Sequence, residues 1–413
     1  MNTQSSQIPV WLLASVLQAT LLHGIAETAP SLQAVSTGNQ IQLSWDRPKD
    51  PWILETTDRL DSGILWWAAR RAIQSDGERE SVSVKPVVSP RFYRLTSVPY
   101  SNRLETVRGP IPADGSRIIL PHEHVFTDLR GPTVVGYGTA DVDDVIRVMN
   151  PLLVEARKQG VGLLVECTGI GVGRNVPMIQ RLSQESGLDM MVPTGVYGRD
   201  HYAPPETRIM TEDELAALFV REVGEGIENT GVRAGFIKIA TSNTGMTAME
   251  QKFLRAAGRA ARDTGAAIAS HTTSGLTARK QVEILESISP MIRFIWVHAQ
   301  TEKNRNYHRD LAARGVFIEF DALGWTPAED NGVIAAIKDL VAGGYGDRLL
   351  LSHDAGWYQP GQRNGGTQKP YTYLLNTFVP RMRNAGLDDA MIRMIIQDNP
   401  VRAFAFMSTV GRE

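Results

Sequence analysis

From Val107 onward, short apolar runs alternate with longer stretches of helical apolar spacing, and this rhythm restricts the fold more than any other feature of the chain. The apolar runs are Arg117–Leu120, Gly162–Glu166, Met190–Pro193, Ala234–Ile239, Ala266–Ser270, Arg293–Val297, Val316–Phe320 and Arg348–Leu351. Val142–Lys158, Glu212–Glu228, Ala248–Thr264 and Arg279–Ser287 carry the helical spacing between them. Eight strand-then-helix units predict an α/β fold, a (β/α)8 TIM barrel over residues 104–413, longer than the ~250 residues typical of that architecture. A doubly wound sheet is the competitor, but no Gly-x-Gly-x-x-Gly turn follows the first strand.

Chemistry concentrates at the ends of these runs. The first leads into Leu120-Pro121-His122-Glu123-His124, where residues two apart on a strand share a face. Lys238 lies in the fourth run, His271 and His298 end the fifth and sixth, and Asp354 follows the eighth. Successive spacings of 33, 27 and 56 residues correspond to one, one and two strand–helix units, with strand seven skipped. In a barrel all six would converge on the C-terminal rim, where such folds keep their active sites.

Each residue also has a plain structural reading. A lone strand-end histidine is more often a packing or capping residue, Lys238 could run out to solvent, and Asp354 could cap a helix. Convergence changes the balance, because imidazoles with a carboxylate make a nitrogen–oxygen site suited to zinc or a related divalent ion. The chain has a single cysteine, Cys167, the residue after strand two, so an internal disulfide and a thiolate-rich zinc site are both excluded. A formal net charge of −2 without basic runs argues against nucleic-acid binding, which needs clustered Lys and Arg.

Taken together, these motifs resemble the phosphotriesterase-like branch of the amidohydrolase superfamily. The resemblance covers about Thr106 to the C-terminus and rests on His122-Glu123-His124, Gly235-Phe236-Ile237-Lys238, His271-Thr272-Thr273-Ser274-Gly275, His298, Asp354 and the closing Asp398-Asn399-Pro400-Val401-Arg402-Ala403-Phe404. Gly169-Ile170-Gly171-Val172-Gly173-Arg174-Asn175 also looks like a recurrent loop of that family. The resemblance implies one divalent ion on His122, His124 and Asp354 and a second on His271 and His298, bridged by hydroxide and by a carbamate on Lys238. Zinc is the expected ion, with manganese, cobalt and iron as alternatives. An ammonium repels cations, so Lys238 must first lose its proton before it can take up carbon dioxide. The implied activity is hydrolysis of a neutral ester or lactone, with Asp354 as proton acceptor and His298 as a relay. An organophosphate triesterase with the same centre is one alternative, and a non-catalytic metal barrel anchored by the N-terminal module is another.

Tyr197, Trp325, Trp357 and Tyr358 fall in the loops after strands three, seven and eight and are predicted to wall an aromatic substrate pocket. Tyr197 also resembles a position common in lactonases of the family. Glu123 is expected to face away from the metals, His353 to be structural, and His201 and His308 to lie on the surface. A homodimer is expected from the family, with no interface stripe visible in the sequence.

The N-terminal part differs in character. No Lys or Arg precedes Arg47, and the mostly apolar Val10–Ala26 fits a secretory signal lacking its basic flank, or an N-terminal helix. It is short for a membrane span, so a secreted or periplasmic location is expected, with a cytoplasmic one otherwise. Residues 29–99 alternate with period two between Pro, Gly and Asp clusters, which predicts a small all-β sandwich. Pro90-Arg91-Phe92-Tyr93-Arg94-Leu95 resembles the last strand of a fibronectin-type-III module. No catalytic cluster lies there, and a passive packing module is the simpler reading.

Overall fold

The computed structural model of the chain describes residues 30–37, 40–46, 52–57, 67–68, 74–75, 78–84, 92–97, 103–199, 201–242 and 245–406. It divides into two compact units, Met1–Pro99 and Tyr100–Glu413. The Val10–Ala26 segment lies outside the described residues. In the first unit, Gln33–Thr37, Gln40–Asp46, Arg79–Val84 and Gln74–Ser75 form one antiparallel sheet, and Trp67–Ala68, Trp52–Thr57 and Phe92–Ser97 form another. Leu43 and Trp45, two apart on their strand, are buried with Val82, which is the outcome period-two alternation dictates.

The second unit is built on eight parallel strands: β1 Ile118–Phe126, β2 Val161–Glu166, β3 Asp189–Met191, β4 Phe236–Ala240, β5 Ile268–His271, β6 Phe294–Val297, β7 Phe317–Phe320 and β8 Leu349–Leu351. The chain of β3 continues through Pro193–Thr194, which pairs with β4, and Gly356–Tyr358 beyond β8 pairs with β1, closing the ring. Helices α1 Val142–Lys158, α2 Val176–Ser186, α3 Glu212–Gly224, α4 Ala248–Thr264, α5 Gly275–Ile288, α6 Arg305–Ala313 and α7 Asp330–Ala342 connect them. Their starts follow from local sequence. Asp141, Asn175 and Ser274 cap backbone N–H groups, while Thr211 with Glu214 and Thr247 with Glu250 form reciprocal capping boxes.

Strand parity sorts the core into two layers. Ile119, Leu163, Val165, Phe236, Ala269, Ile295, Val297, Phe317 and Leu350 cluster inside the ring. Their neighbours Leu120, Leu164, Ile237, Ile268, Trp296, Ile318, Leu349 and Leu351 pack outward under the helices. That parity carries Lys238 inward two residues after Phe236, His271 two after Ala269, and Glu319 two after Phe317. β1 extends to Phe126, beyond the expected end at Leu120, and its register with β2 shifts between Leu120 and Glu123. This bulge inserts one residue and reverses the parity, so that His122 and His124 join the inner set while Glu123 turns out.

Candidate metal centre

The inward residues meet at the C-terminal end of the ring. Ring centroids lie 5.4 Å apart for His122–His124, 5.2 Å for His122–His298 and 4.4 Å for His271–His298. Ligand atoms of His122, His298 and Asp354 all fall within 4.8 Å of one another, as do those of His122, Glu319 and Asp321. Lys238 is buried among them, and its Nζ has no hydrogen-bond partner.

Three imidazoles are held in one tautomer by acceptors behind them. His122 Nδ1 lies 3.1 Å from Glu319 Oε2 and 3.3 Å from Asp321 Oδ2. His298 Nδ1 donates to Asp321 Oδ1 at 2.7 Å, and its backbone N–H to Asp321 Oδ2 at 2.9 Å. His124 Nδ1 donates to Thr168 Oγ1 at 2.8 Å, and that hydroxyl spends its own proton on Glu166 at 2.6 Å. A neutral imidazole that donates through Nδ1 keeps a lone pair on Nε2, the arrangement metal ligation needs. Burial first, then Lys238, holds His122 well below the ordinary histidine range; burial and then His298 do the same for His271. Burial works against ionisation of Asp321, but the His298 imidazole and its hydrogen bonds prevail and lower that carboxyl. Glu319, buried with Asp321 beside it, is pushed well up.

Asp354 Oδ1 lies 3.2 Å from His124 Nε2 and 3.7 Å from His122 Nε2, yet it accepts no hydrogen bond. Both nitrogens carry lone pairs, so acceptor faces acceptor. A cation between them resolves that opposition, and the donor set therefore fits a divalent metal. The backbone is strained where these side chains are aimed: His298, Asp354 and Trp357 have φ of 65°, 50° and 75°. Gly356 has φ 91°, and a Cβ there would stand 1.8 Å from the His124 carbonyl oxygen, so only glycine lets this segment close on β1.

On the β5 side the bonding differs. Arg199 donates to His271 Nε2 at 2.9 Å, and the Tyr197 hydroxyl lies 3.2 Å from His271 Nδ1. Burial pushes the Tyr197 phenol up. The Trp357 ring sits 4.6 Å from that of His124 and its Nε1 donates to the Asp354 carbonyl at 2.7 Å. Trp325 Nε1 donates to the His353 carbonyl at 2.7 Å.

Two expectations are corrected. Tyr358 does not line the pocket: next to Trp357 on a paired strand it must point the other way, stacking on Phe126 and donating to Asp144 of α1 at 2.5 Å. Burial and that carboxylate push its phenol up to about 12. His308 is buried rather than on the surface, packed against Trp296 and Phe320 with Nε2 bonded to the Ala299 carbonyl, because it falls on the apolar face of α6. His201 is exposed. Glu123 turns away from the cluster and accepts from Ser352 Oγ, His353 N, His353 Nδ1 and Ala355 N, locking β1 to the segment after β8. His353 is thereby structural, its Nε2 accepting from Leu374 N.

Sequence reasoning missed Glu319, Asp321, Thr168, Glu166 and Arg199. Glu319 and Asp321 had a readable signal: carboxylates two apart on the very strand, Phe317-Ile318-Glu319-Phe320-Asp321, that the spacing argument skipped. Thr168 and Arg199 lie after β2 and β3, and the histidines they bond are 44 and 72 residues away.

A parallel barrel with histidines, a lysine and carboxylates converging on one rim defines a class of metal-dependent hydrolase folds, and similarity to known proteins narrows it. The phosphotriesterase family model matches residues 102–404, and the chain belongs to that family. A "Phosphotriesterase homology protein" of Mycobacterium tuberculosis is 30% identical over 319 residues, covering 73% of this chain and 97% of that protein. An "Aryldialkylphosphatase" of Saccharolobus solfataricus is 28% identical over 275 residues, covering 60% of this chain and 82% of that one. A solved mutant of an organophosphorus hydrolase from Deinococcus radiodurans is similar with a TM-score of 0.66 at 29% identity, covering 73% of this chain and 97% of its own. Among the described residues no helix is long and apolar enough to cross a membrane.

Proposed function

We propose that this chain hydrolyses an ester or lactone at a binuclear metal centre. The observation that carries the reading is the opposition of Asp354 Oδ1 to the lone-pair nitrogens of His122 and His124, with an unpartnered Lys238 Nζ buried beside them. One ion would be held by His122, His124 and Asp354, a second by His271 and His298, with Lys238, as its carbamate, shared between them. Zinc suits this nitrogen–oxygen set. Such ions supply an acidified water and polarise the carbonyl under attack.

The chain's own residues do the rest. Asp354 is the proton acceptor, through the carboxylate oxygen that would not hold the ion, and Trp325 and Trp357 hold its backbone carbonyl and keep it in place. Asp321 fixes the His298 ring through Nδ1, so that Nε2 faces the cluster, where it would hold the second ion. Trp357, over His124, excludes water from one wall, and Tyr197 is placed to bond a carbonyl oxygen on the other. Phosphotriester hydrolysis is the second reading, favoured by the names of the aryldialkylphosphatase and organophosphorus hydrolase relatives. The N-terminal strands are read as a fibronectin-III-like accessory sandwich, and Val10–Ala26 as an export signal.

The deciding experiment measures metal per chain and the intact mass of the protein, then assays γ- and δ-lactones, aryl esters and a phosphotriester side by side. Two ions, added carbamate mass on Lys238 and ester or lactone turnover are expected. No bound ion with an unmodified lysine would overturn the mechanism, and activity confined to the phosphotriester would overturn the substrate class.

A further inference from the structure

Glu123 stands between two of the proposed ligands, His122 and His124, with its side chain on the other face of β1. The neighbour sharing that face, Val125, is apolar and buried in the outer layer, as a residue packed there should be. Glu123 is fully buried as well, and a carboxylate at such a place is costly unless donors surround it. Four do, and all come from the segment that carries Asp354. Ser352 Oγ, His353 N and His353 Nδ1 donate to Oε1 at 2.7, 3.1 and 2.5 Å, while Ala355 N donates to Oε2 at 2.8 Å.

The division of these donors between the two oxygens is informative. Oε1 holds the two residues before Asp354, and Oε2 holds the residue after it. Asp354 between them has φ 50°, a left-handed conformation that is unfavourable for a residue with a Cβ. Its own N–H donates to the His122 carbonyl at 3.1 Å, and the Ala355 carbonyl accepts from His124 N at 2.9 Å. Those backbone bonds join β1 to the segment, while the carboxylate of Glu123 spans the turn itself. His353 cannot reverse its role: Nε2 accepts from Leu374 N at 2.8 Å, so Nδ1 carries the proton and gives it to Glu123.

We propose that Glu123 is a positioning residue of the metal centre: by gripping the chain on both sides of Asp354 it holds that residue in its left-handed turn and aims the carboxylate at His122 and His124. This rests on the metal-hydrolase reading of the same site. Glu123 touches neither ion nor substrate and acts through Asp354. An amide of the same shape cannot replace it, because whichever way Gln is turned, one end presents N–H to a backbone N–H that needs an acceptor.

The test uses the full chain with and without zinc. Amide hydrogen exchange of the metal-free protein, read on a peptide covering residues 352–358, should speed up about tenfold in Glu123→Gln, with β4 and β5 peptides unchanged. Chelator competition on the zinc-loaded protein should show one of two ions held about 10- to 100-fold more weakly. In an Asp354→Ala background the same substitution should change ion affinity by less than about twofold, because the ligand it positions is gone. Glu222→Gln removes a buried acceptor of Arg174 and Thr194 on α3, and should leave both ion affinities as they are. If Glu123→Gln does not fold, Ser352→Ala, which removes one donor to Oε1, carries the same readouts with smaller shifts. In a chain that binds zinc, unchanged affinities, or a loss that adds fully to that of Asp354→Ala, would overturn the positioning role and leave the centre standing. If exchange at 352–358 responds but the parent binds no ion, the hold on Asp354 stands and the metal-hydrolase reading falls.

Discussion

The two sides of the ligand cluster are built differently. On the β1, β6, β7 and β8 side, His122, His124 and His298 each have Nδ1 engaged by Glu319 and Asp321, by Thr168, or by Asp321 alone, leaving Nε2 aimed at the centre. On the β4 and β5 side, Lys238 Nζ has no partner, and His271 is bonded through both nitrogens to groups outside the inner layer. One side is preorganised by buried carboxylates and a hydroxyl. The difference teaches that, in the proposed centre, the side whose tautomers are already set should take its ion first.

Several substitutions probe that contrast, beginning with the largest effect. Asp354→Asn removes the proton acceptor while keeping its shape, and kcat should fall about 10²- to 10⁴-fold in steady-state assays on any accepted ester. Asp321→Asn breaks a charge-assisted bond to His298, and metal affinity measured by competition with a chelator should weaken about 10- to 100-fold. Glu319→Gln should do far less, because burial and Asp321 already favour the neutral acid at that position. Equal losses from the two variants would show that the carboxylates are not distinguished by their surroundings.

Lys238→Met tests the unformed side. It replaces a buried polar atom lacking a partner with an apolar side chain of similar length, so the metal-free protein should gain about 1–3 kcal/mol in denaturant unfolding. Elemental analysis should find one ion fewer per chain. A metal-free variant less stable than the parent would mean that the amine has a partner after all.

The smallest effect concerns acid. Burial lowers the pKa of His308, whose Nε2 bonds the Ala299 carbonyl while Nδ1 is unpartnered. Its folded value lies below the ordinary 6.5, so the unfolded chain binds the proton first as pH falls. Stability from this group is complete above the unfolded value and is lost as pH drops below it. His122 and His271 act in the same sense, and Glu319, raised, in the opposite one. The Tm of the metal-free protein should therefore fall less between pH 7.5 and pH 5.5 in His308→Gln than in the parent. Parallel curves would remove His308 from the account.

Much of the barrel was legible in one dimension. Strand parity and the strand–helix repeat depend on neighbours a few residues apart, so Lys238 could be placed within its strand and His271 and His298 at strand ends from the sequence alone. The two misplacements have local causes. Tyr358 was read as a loop residue free to face the pocket, but pairing of Gly356–Tyr358 with β1 imposes alternation and gives the inward position to Trp357. His308 was expected on the surface, but Leu311 and Ala312 beside it mark the face that packs under β6 and β7.

What the sequence determined by itself was the repeat, the absence of thiolate chemistry and the residue types that reach the rim, because each follows from composition or short-range periodicity. Only the tertiary structure decided which nitrogen of each imidazole is available. That depends on acceptors distant in sequence: Glu319, 197 residues from His122, and Thr168, 44 from His124. It likewise decided that the bulge in β1 turns both of these histidines inward. Hydrogen bonds and charges act through space, and the spacing of residues along the chain does not carry that information.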